Sequence, residues 1–312
     1  MERDSGSLKS VLAFYKFFEI RNTAELREDL LKLGASLELK GTVLVAHEGL
    51  NSTLAGNKEN LDRFSAYLVE RFGDFPFKWS VADESNEVFF RFKVKIKSEI
   101  VTMGVDGLNM EVGGTHVSPE EWNDLLLDPE VIVVDARNDY ETDIGSFPGA
   151  VIPGTTNFRE FPGWADQQLD PKKNKRVAMF CTGGIRCEKA SAYLLDNGFE
   201  NVYQLDGGVL KYLETVDDQA NQWTGECFVF DQRVSVDARL QQGLYRQCFA
   251  CRHPLSQDDL CSDYYEEGVS CGYCVDDKSP DRKEQFRQRQ KQVKLANQRG
   301  EKHLGVNKTS TA

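Results

Sequence analysis

Cys181 and Arg186 lie at the two ends of a loop whose composition suits anion binding. The loop reads C-T-G-G-I-R and follows residues 177–180, an apolar run of the length of a buried strand. Beyond the loop, apolar residues recur at helical spacing up to Asn197 and Gly198, a pair that indicates a helix end. Glycines let backbone N–H groups turn toward an anion, and a helix N-terminus adds positive charge. A cysteine placed there is expected to have a lowered pKa and to be partly thiolate at neutral pH.

The Cys-x4-Arg spacing decides which anion fits the loop. Loops that hold a phosphate are one residue longer, so phosphatase chemistry is the poorer fit. A tighter loop suits a sulfane sulfur or an oxygen carried on the cysteine. Cys181 is therefore the predicted nucleophile. The groups predicted to hold its anionic sulfur or oxygen species are the loop amides and one guanidinium: Thr182, Gly183, Gly184, Ile185 and Arg186.

Cys187 follows directly in the first turn of the predicted helix, and two interpretations are open. In the first, which we slightly favour, it is a packed thiol against the sheet, because a residue within a helix can point away from the loop. In the second, it resolves an oxidised Cys181 by forming a disulfide with it.

Four later cysteines have the spacing of a metal site. Two C-x2-C pairs are separated by 19 residues, a pattern typical of a four-thiolate Zn2+ site: Cys248, Cys251, Cys271 and Cys274. Unligated thiols and a redox pair are the alternatives. Cys227 lies in an apolar run and is predicted to be a core residue.

Positive charge is concentrated in two segments, although the whole chain carries a net charge of −12. Residues 91–97 read R-F-K-V-K-I-K, and a strand with a period of two places four cations on one face: Arg91, Lys93, Lys95 and Lys97. This face is either a solvated sheet edge or a track for the phosphates of a nucleic acid, and the two interpretations are equally supported.

The second basic segment is residues 278–308, which hold ten Lys and Arg against three acids. They suggest a solvated helix and a disordered tail, or a contact to an RNA backbone.

Composition limits the class of protein. The chain has 312 residues, enough for two or three domains, and we find no secretion signal and no apolar run of membrane-span length. Eight cysteines without such a signal favour thiol chemistry and metal binding over disulfides. A cytoplasmic protein without a membrane partner is expected, and the oligomeric state is left open.

Strands and helices alternate along most of the chain. Strands are predicted at residues 11–18, 41–46, 52–55, 77–81 and 88–96, and helices at 23–33 and 58–72. Their order is that of a ferredoxin-like domain, with Gly34 ending the first helix. A glycine-rich linker at 107–115 precedes a second alternation, which indicates a parallel α/β sheet. Cys181 would lie at the carboxyl end of one of its strands, where such sheets place their sites.

Several motifs carry a family resemblance. D-x-R at 135–137, P-G-A at 148–150, the Cys181 loop and D-G-G at 206–208 resemble a rhodanese domain. Together, four longer stretches resemble the bacterial tRNA uridine hydroxylases of the TrhO type (UPF0176): H-E-G-L-N-S-T-L-A-G, C-T-G-G-I-R-C-E-K-A, Y-Q-L-D-G-G-V-L-K-Y and G-E-C-F-V-F-D-Q-R-V. One departure is Ser146, at a place where many rhodanese relatives carry histidine.

The resemblance implies both an architecture and an activity. The fold expected is α/β, and four segments are predicted: an acylphosphatase-like, ferredoxin-like domain (1–106), a rhodanese-like parallel α/β domain (107–222), a small cysteine-bearing region (223–277) and a basic, partly disordered tail (278–312). The activity implied is O2-dependent 5-hydroxylation of the wobble uridine of tRNA. Cys181 matches the family's active cysteine, which is inferred to pass through a persulfide.

The predicted function is therefore that of an oxidoreductase acting on tRNA, with O2 as co-substrate and Cys181 at its centre. Sulfur transfer from a Cys181 persulfide is the alternative, since the same loop would support it. A non-catalytic adaptor is disfavoured because the loop is intact. The sequence contains no flavin or haem motif, and its four histidines are too scattered for an iron site: His47, His116, His253 and His303.

Overall fold

The computed structural model describes residues 8–83 and 87–300. The first part contains seven elements: β1 (Leu8–Phe17), α1 (Thr23–Ser36), β2 (Lys40–Ala46), β3 (Gly49–Gly56), α2 (Lys58–Phe72), β4 (Lys78–Asp83) and β5 (Phe92–Ile96). The strands form one sheet in the order β4-β1-β3-β2-β5, antiparallel except for the parallel β2–β5 pair. The order of the first four strands is ferredoxin-like, as predicted.

Alternation along the strands gives this sheet two different faces. Leu12, Phe14, Val43 and Val45 belong to the core that includes Leu26 and Leu61 of the helices. The residues between them point to the opposite face, which α1 and α2 leave uncovered. We call it the open face of the sheet.

Several predicted boundaries in this part are wrong: β1 begins at Leu8 and not at residue 11, and β3 begins at Gly49 and not at residue 52. Gly34 does not end α1, which continues to Ser36; a Cβ at this position would lie 2.2 Å from the ring of Phe92. The glycine therefore lets helix and strand pack closely. The last strand begins at Phe92 and not at Val88, because Val88 packs on an apolar patch that contains Val11.

The second part is built around a parallel sheet. Its elements are β6 (Thr115–Val117), α3 (Pro119–Leu127), β7 (Ile132–Asp135), α4 (Asp139–Thr142), β8 (Gly145–Ser146), a 3-10 helix (Phe158–Glu160), α5 (Phe161–Gln168), β9 (Arg176–Phe180), α6 (Ile185–Asp196), β10 (Asn201–Leu205) and α7 (Gly208–Thr215). The strand order is β6-β10-β9-β7, with all neighbours parallel. Apolar cores lie on both faces, which makes this a parallel α/β domain as predicted.

The last part contains little regular secondary structure before its final helix. It contains β11 (Thr224–Gly225), β12 (Cys227–Phe228), β13 (Ser235–Val236), β14 (Arg246–Gln247), β15 (Pro254–Leu255), α8 (Gln257–Leu260) and α9 (Pro280–Gln298). β11 pairs with β8, and Trp223, Cys227 and Val236 enter the core of the parallel sheet. Cys227 is thus a core residue.

The basic C-terminal segment is helical over α9, and the predicted disordered end at 301–312 lies outside the described residues. Phe286 and Ala296 of α9 are buried, and Arg287 pairs with Glu266. None of the helices in residues 8–83 and 87–300 combines the length and the apolar composition that crossing a membrane requires.

Candidate active site

Cys181 follows the last residue of β9, a central strand of the parallel sheet, and its side chain is fully buried. Its sulfur accepts a hydrogen bond from the backbone N–H of Gly184 at 3.1 Å, and the backbone N–H groups of Arg186 and Cys187 also favour its thiolate. Gly184 can turn its amide inward because it adopts a left-handed φ of 98° at the start of α6. The loop is therefore an amide nest around one sulfur atom.

The helix brings the second thiol to the first. Cys187 is buried in the same apolar cluster as Cys181, close enough for each thiol to influence the pKa of the other. Cys187 packs in the core, and its role as a resolving thiol stays a prediction. Side chains of a helix lean toward its N-terminus, so a first-turn residue of α6 reaches back over the loop.

The pKa of Cys181 falls to about 5. Burial by itself raises this pKa, but the hydrogen bond from Cys187, the positive charge of Arg186 and the loop amides together outweigh it. The pKa of Cys187 moves in the opposite direction, because burial and the neighbouring Cys181 both disfavour its thiolate. At neutral pH the pair therefore consists of one thiolate and one thiol.

Arg186 is held by an acid that the sequence had not marked as a site residue. Its guanidinium donates two hydrogen bonds to the buried carboxylate of Glu141, at 2.5 and 2.8 Å, and Thr182 Oγ1 donates to the same carboxylate at 3.1 Å. Burial raises the pKa of Glu141, but the charge of Arg186 lowers it further, so that both groups are ionised. Arg186 still stabilises the Cys181 thiolate, but Glu141 fixes its position.

Two further residues reach the loop from the open face of the first sheet. Lys78 Nζ donates to the carbonyl oxygens of Gly207, at 2.8 Å, and Gly183. Tyr15 Oη donates to Glu188 at 3.0 Å and leaves no room for a side chain at Gly184. Sequence reasoning missed both because they lie more than 100 residues away in the chain. The available signal was that Lys78 is the single charged residue in the predicted strand 77–81.

An ion-pair cluster also joins the two domains beside the loop. Lys189 on α6 is almost completely buried, and its ammonium lies 2.8 Å from Glu48 and 2.6 Å from Glu99. Glu48 in turn accepts the backbone N–H of Ile100 at 2.6 Å. Because each partner comes from a different segment, the cluster ties the first domain to the helix that carries Cys187.

Between the open face and the loop lies a cavity of about 500 Å3. Its lining includes Cys181 and Arg186 on one side and Tyr15 and Thr53 on the other. Phe230 lies at its exposed edge. The volume is that of a typical small-ligand site, and the reactive sulfur is one of its walls.

The four predicted phosphate-binding cations are exposed and lie on or beside edge strand β5: Arg91, Lys93, Lys95 and Lys97. In the β2–β5 register, Lys93 is opposite Thr42 and Lys95 is opposite Leu44, and both partners line the cavity. Lys97 lines it as well. The lysines therefore share the open face and form a positive strip beside the cavity.

The D-x-R motif is a buried ion pair beneath the site. Arg137 donates to Asp135 at 2.8 and 2.6 Å, and both side chains are fully buried. Ser146 Oγ donates to Asp135 at 2.7 Å. Ser146, which stands where many rhodanese relatives carry histidine, therefore completes the hydrogen-bond network around the buried Asp135–Arg137 pair.

The two C-x2-C pairs converge as their spacing predicts. The four sulfurs lie within 4.8 Å of one another, with separations of 4.0, 3.7 and 3.8 Å for Cys248–Cys274, Cys251–Cys271 and Cys271–Cys274. Disulfides require about 2.05 Å. Tetrahedral Zn2+ with Zn–S bonds of about 2.3 Å places its sulfurs about 3.8 Å apart. The donor set therefore fits Zn2+, while Cys261 is exposed outside it.

Together, the fold and the Cys181 loop define a protein in which a rhodanese-type domain follows an acylphosphatase-like domain along the chain. Two family comparisons agree with this class. Residues 9–100 match the family described as UPF0176 acylphosphatase like domain, and residues 118–215 match the rhodanese-like domain. The pair fits the architecture of the UPF0176 (TrhO) family.

Solved structures resemble the separate domains. A rhodanese-like domain from Anabaena sp. is 18% identical and covers 35% of this chain and 78% of its own length, with a TM-score of 0.30. An acylphosphatase from Coxiella burnetii is 16% identical and covers 30% of this chain and 100% of its own, with a TM-score of 0.23.

Proposed function

We propose that the protein hydroxylates the wobble uridine of tRNA at C5, using O2 and the Cys181 loop. The observation that carries the proposal is the cavity in which a thiolate of lowered pKa, a neighbouring thiol and a positive strip come together. A rhodanese-like domain supports cysteine-based chemistry of the sulfur-transfer kind or a related one. Within this general chemistry, hydroxylation of tRNA is the particular reaction that we propose.

The two thiols match the electron count of this reaction. Replacing the C5–H bond of uridine by C5–OH takes one oxygen atom from O2, and reducing the other atom to water takes two electrons and two protons. Oxidation of the Cys181 thiolate and the Cys187 thiol to a disulfide releases the two electrons and one proton, and the second proton comes from solvent. The two cysteines lie in one apolar cluster, and a cellular thiol would reduce the disulfide by exchange.

The positive strip supports an RNA substrate. A chain of net charge −12 repels a polyanion over most of its surface, so that a local strip decides where the backbone can approach. Lys93, Lys95 and Lys97 provide one that leads to the cavity. A uridine turned out of its stack would reach Cys181 there.

Sulfur transfer is the second candidate. In that reaction a donor places a sulfane sulfur on Cys181, and an acceptor nucleophile then removes it and returns the thiolate. The amides of the loop and the charge of Arg186 would stabilise the terminal persulfide anion equally well. The two reactions differ in whether uridine gains oxygen or sulfur.

We also propose that Cys248, Cys251, Cys271 and Cys274 hold a structural Zn2+. A site with four thiolates leaves no open position for a substrate, so the ion would supply folding energy and no catalytic step.

Nucleoside mass spectrometry tests the function directly. Unmodified tRNA is incubated aerobically with a reducing thiol and wild type or Cys181→Ser, then digested and analysed. One added oxygen on uridine is expected with the wild type, and none with the variant or without O2. An added sulfur would replace the proposal by thiolation. An unmodified tRNA, with thiosulfate sulfurtransfer intact, would contradict an action on RNA.

A further inference from the structure

The segment that reads C-F-V-F-D-Q-R-V forms a hairpin clamped between the two domains. Strands β12 and β13 pair, and Val229 N–H donates to Val234 at 2.9 Å to close the turn. Cys227 and Val229 are buried in the core of the parallel sheet. One foot of the hairpin is therefore fixed to the domain that carries Cys181.

The tip of the hairpin is fixed to the first domain. Arg233 is buried and pairs with Asp231 at 2.7 Å. The same guanidinium donates to Ser80 Oγ at 3.2 Å and to the carbonyl of Val81 at 3.3 Å, both on β4. The hairpin thus bridges the domains, and residues between its anchors have little freedom to move.

Phe230 lies between these anchors, and 60% of its side chain is exposed. Its ring contacts Phe228 edge-on, with centroids 5.1 Å apart, and it lies 5.8 Å from the guanidinium carbon of Arg186. It also lines the cavity that contains Cys181. A large aromatic side chain held rigidly at the edge of a reactive cavity contributes little to the core, and its free surface suits a planar ligand.

We propose that Phe230 is the stacking platform for the unpaired base that enters the cavity. The inference rests on the proposed function and adds the way in which a single-stranded nucleotide is bound. Bases removed from a helix are commonly stacked on aromatic side chains, and the gain does not depend on base identity. The lysine strip supplies the cations for the adjoining phosphates, which favours a nucleotide over a peptide.

Binding of a short RNA tests this proposal apart from any reaction. The affinity of fluorescein-labelled pentauridylate is measured by anisotropy for wild type and for Phe230→Ala, Phe230→Leu and Phe230→Trp. Losing one stacked base should weaken binding about 10- to 100-fold in the alanine variant. Leucine should recover little of it, whereas tryptophan should bind within a few-fold of wild type.

Tyr264→Ala is the matched control, because Tyr264 is also aromatic, 61% exposed and outside the cavity lining. It should bind like wild type, and every variant should keep the thermal unfolding transition of the wild type, which shows that it is folded. Equal affinity of wild type and Phe230→Ala would overturn the platform, as would a wild type that does not bind the RNA. If binding depends on Phe230 but tRNA uridine gains no oxygen, the platform stands and hydroxylation fails.

Discussion

Cys181 in the loop and Cys187 in the first turn of α6 are residues of the same type, yet the pKa of the first is lowered and that of the second is raised. The difference arises because the two thiols influence each other, so that ionising one sulfur makes ionisation of the other harder. The loop amides and Arg186 act on Cys181 and decide which sulfur carries the charge. A reactive thiolate and a protonated partner thus result from position alone.

The pH dependence of alkylation tests this pairing. In wild type, the rate of Cys181 alkylation by iodoacetamide should rise with pH to a plateau, and the midpoint of this rise should lie near pH 5. Cys187→Ala removes a hydrogen bond to the thiolate, so the pKa rises and the midpoint should move up by about one to two pH units. Cys187→Ser keeps a donor and should remain near wild type.

Peptide mass spectrometry assigns the alkylation to Cys181 among the eight cysteines. The pairing would be contradicted if the alanine variant had the wild-type midpoint. A serine variant that shifted as far as the alanine one would show that the sulfur itself, and not a donor, is required.

The loop depends on an element of the other domain, since Lys78 on β4 holds the carbonyls of Gly183 and Gly207. Burial lowers the pKa of Lys78, and the nearby Cys181 thiolate offsets part of this effect because it favours the charged ammonium. The first domain is therefore part of the site and not only a neighbour of it.

Lys78→Met should loosen the loop and remove this positive charge. We expect the midpoint of Cys181 alkylation to move to higher pH and the rate of tRNA modification to fall about 10- to 100-fold, the range of one or two hydrogen bonds to a charged group. Lys58→Met is the matched control, because Lys58 lies over Trp79 on the helix side of the same sheet. Both variants should still show a cooperative thermal unfolding transition, which establishes that they are folded. Unchanged alkylation in Lys78→Met would contradict the role of this lysine.

The elements were largely predictable from the sequence, whereas the contacts between domains were not. Local rules suffice for the cap of α3 at Ser118 and for the strand before Cys181. Alternation also places Lys93 and Lys95 on one face of their strand, but it does not say what that face meets. The Lys78 and Glu141 contacts depend on how separate segments pack, and no local pattern encodes that packing.

At the scale of the whole molecule, the cysteine cluster organises the C-terminal region, since α9 packs against the residues around it. Arg289 on this helix donates to the carbonyls of Gly268 and Phe249, both close in sequence to cluster cysteines. A metal in the cluster would therefore hold the basic helix in place.

Metal analysis of the purified protein should find one Zn2+ per chain. Cys274→Ser should lose the ion and lower the unfolding temperature, because the binding energy of a structural zinc is part of the folding energy. Cys261→Ser should keep the ion, since this exposed thiol lies outside the cluster. A wild type without metal, or a Cys274→Ser variant that retains it, would contradict the zinc site.

Charge is the property of the whole molecule that decides how RNA approaches. With a net charge of −12, most of the surface repels a phosphate backbone, and the strip beside the cavity and the basic helix α9 are the two segments that can attract it. Changing Lys93, Lys95 and Lys97 together to glutamine should weaken tRNA binding at low salt. It should also reduce the slope of log affinity against log salt by about two, since each single-strand phosphate contact contributes about 0.7.

The control changes Lys172, Lys173 and Lys175 to glutamine and so removes the same charge. These three lysines are exposed and lie just before the start of β9, at the end of the strand away from Cys181. Filter binding from low to high salt separates a local contact from a net-charge effect. The strip is not the contact if both triple variants lower the slope equally.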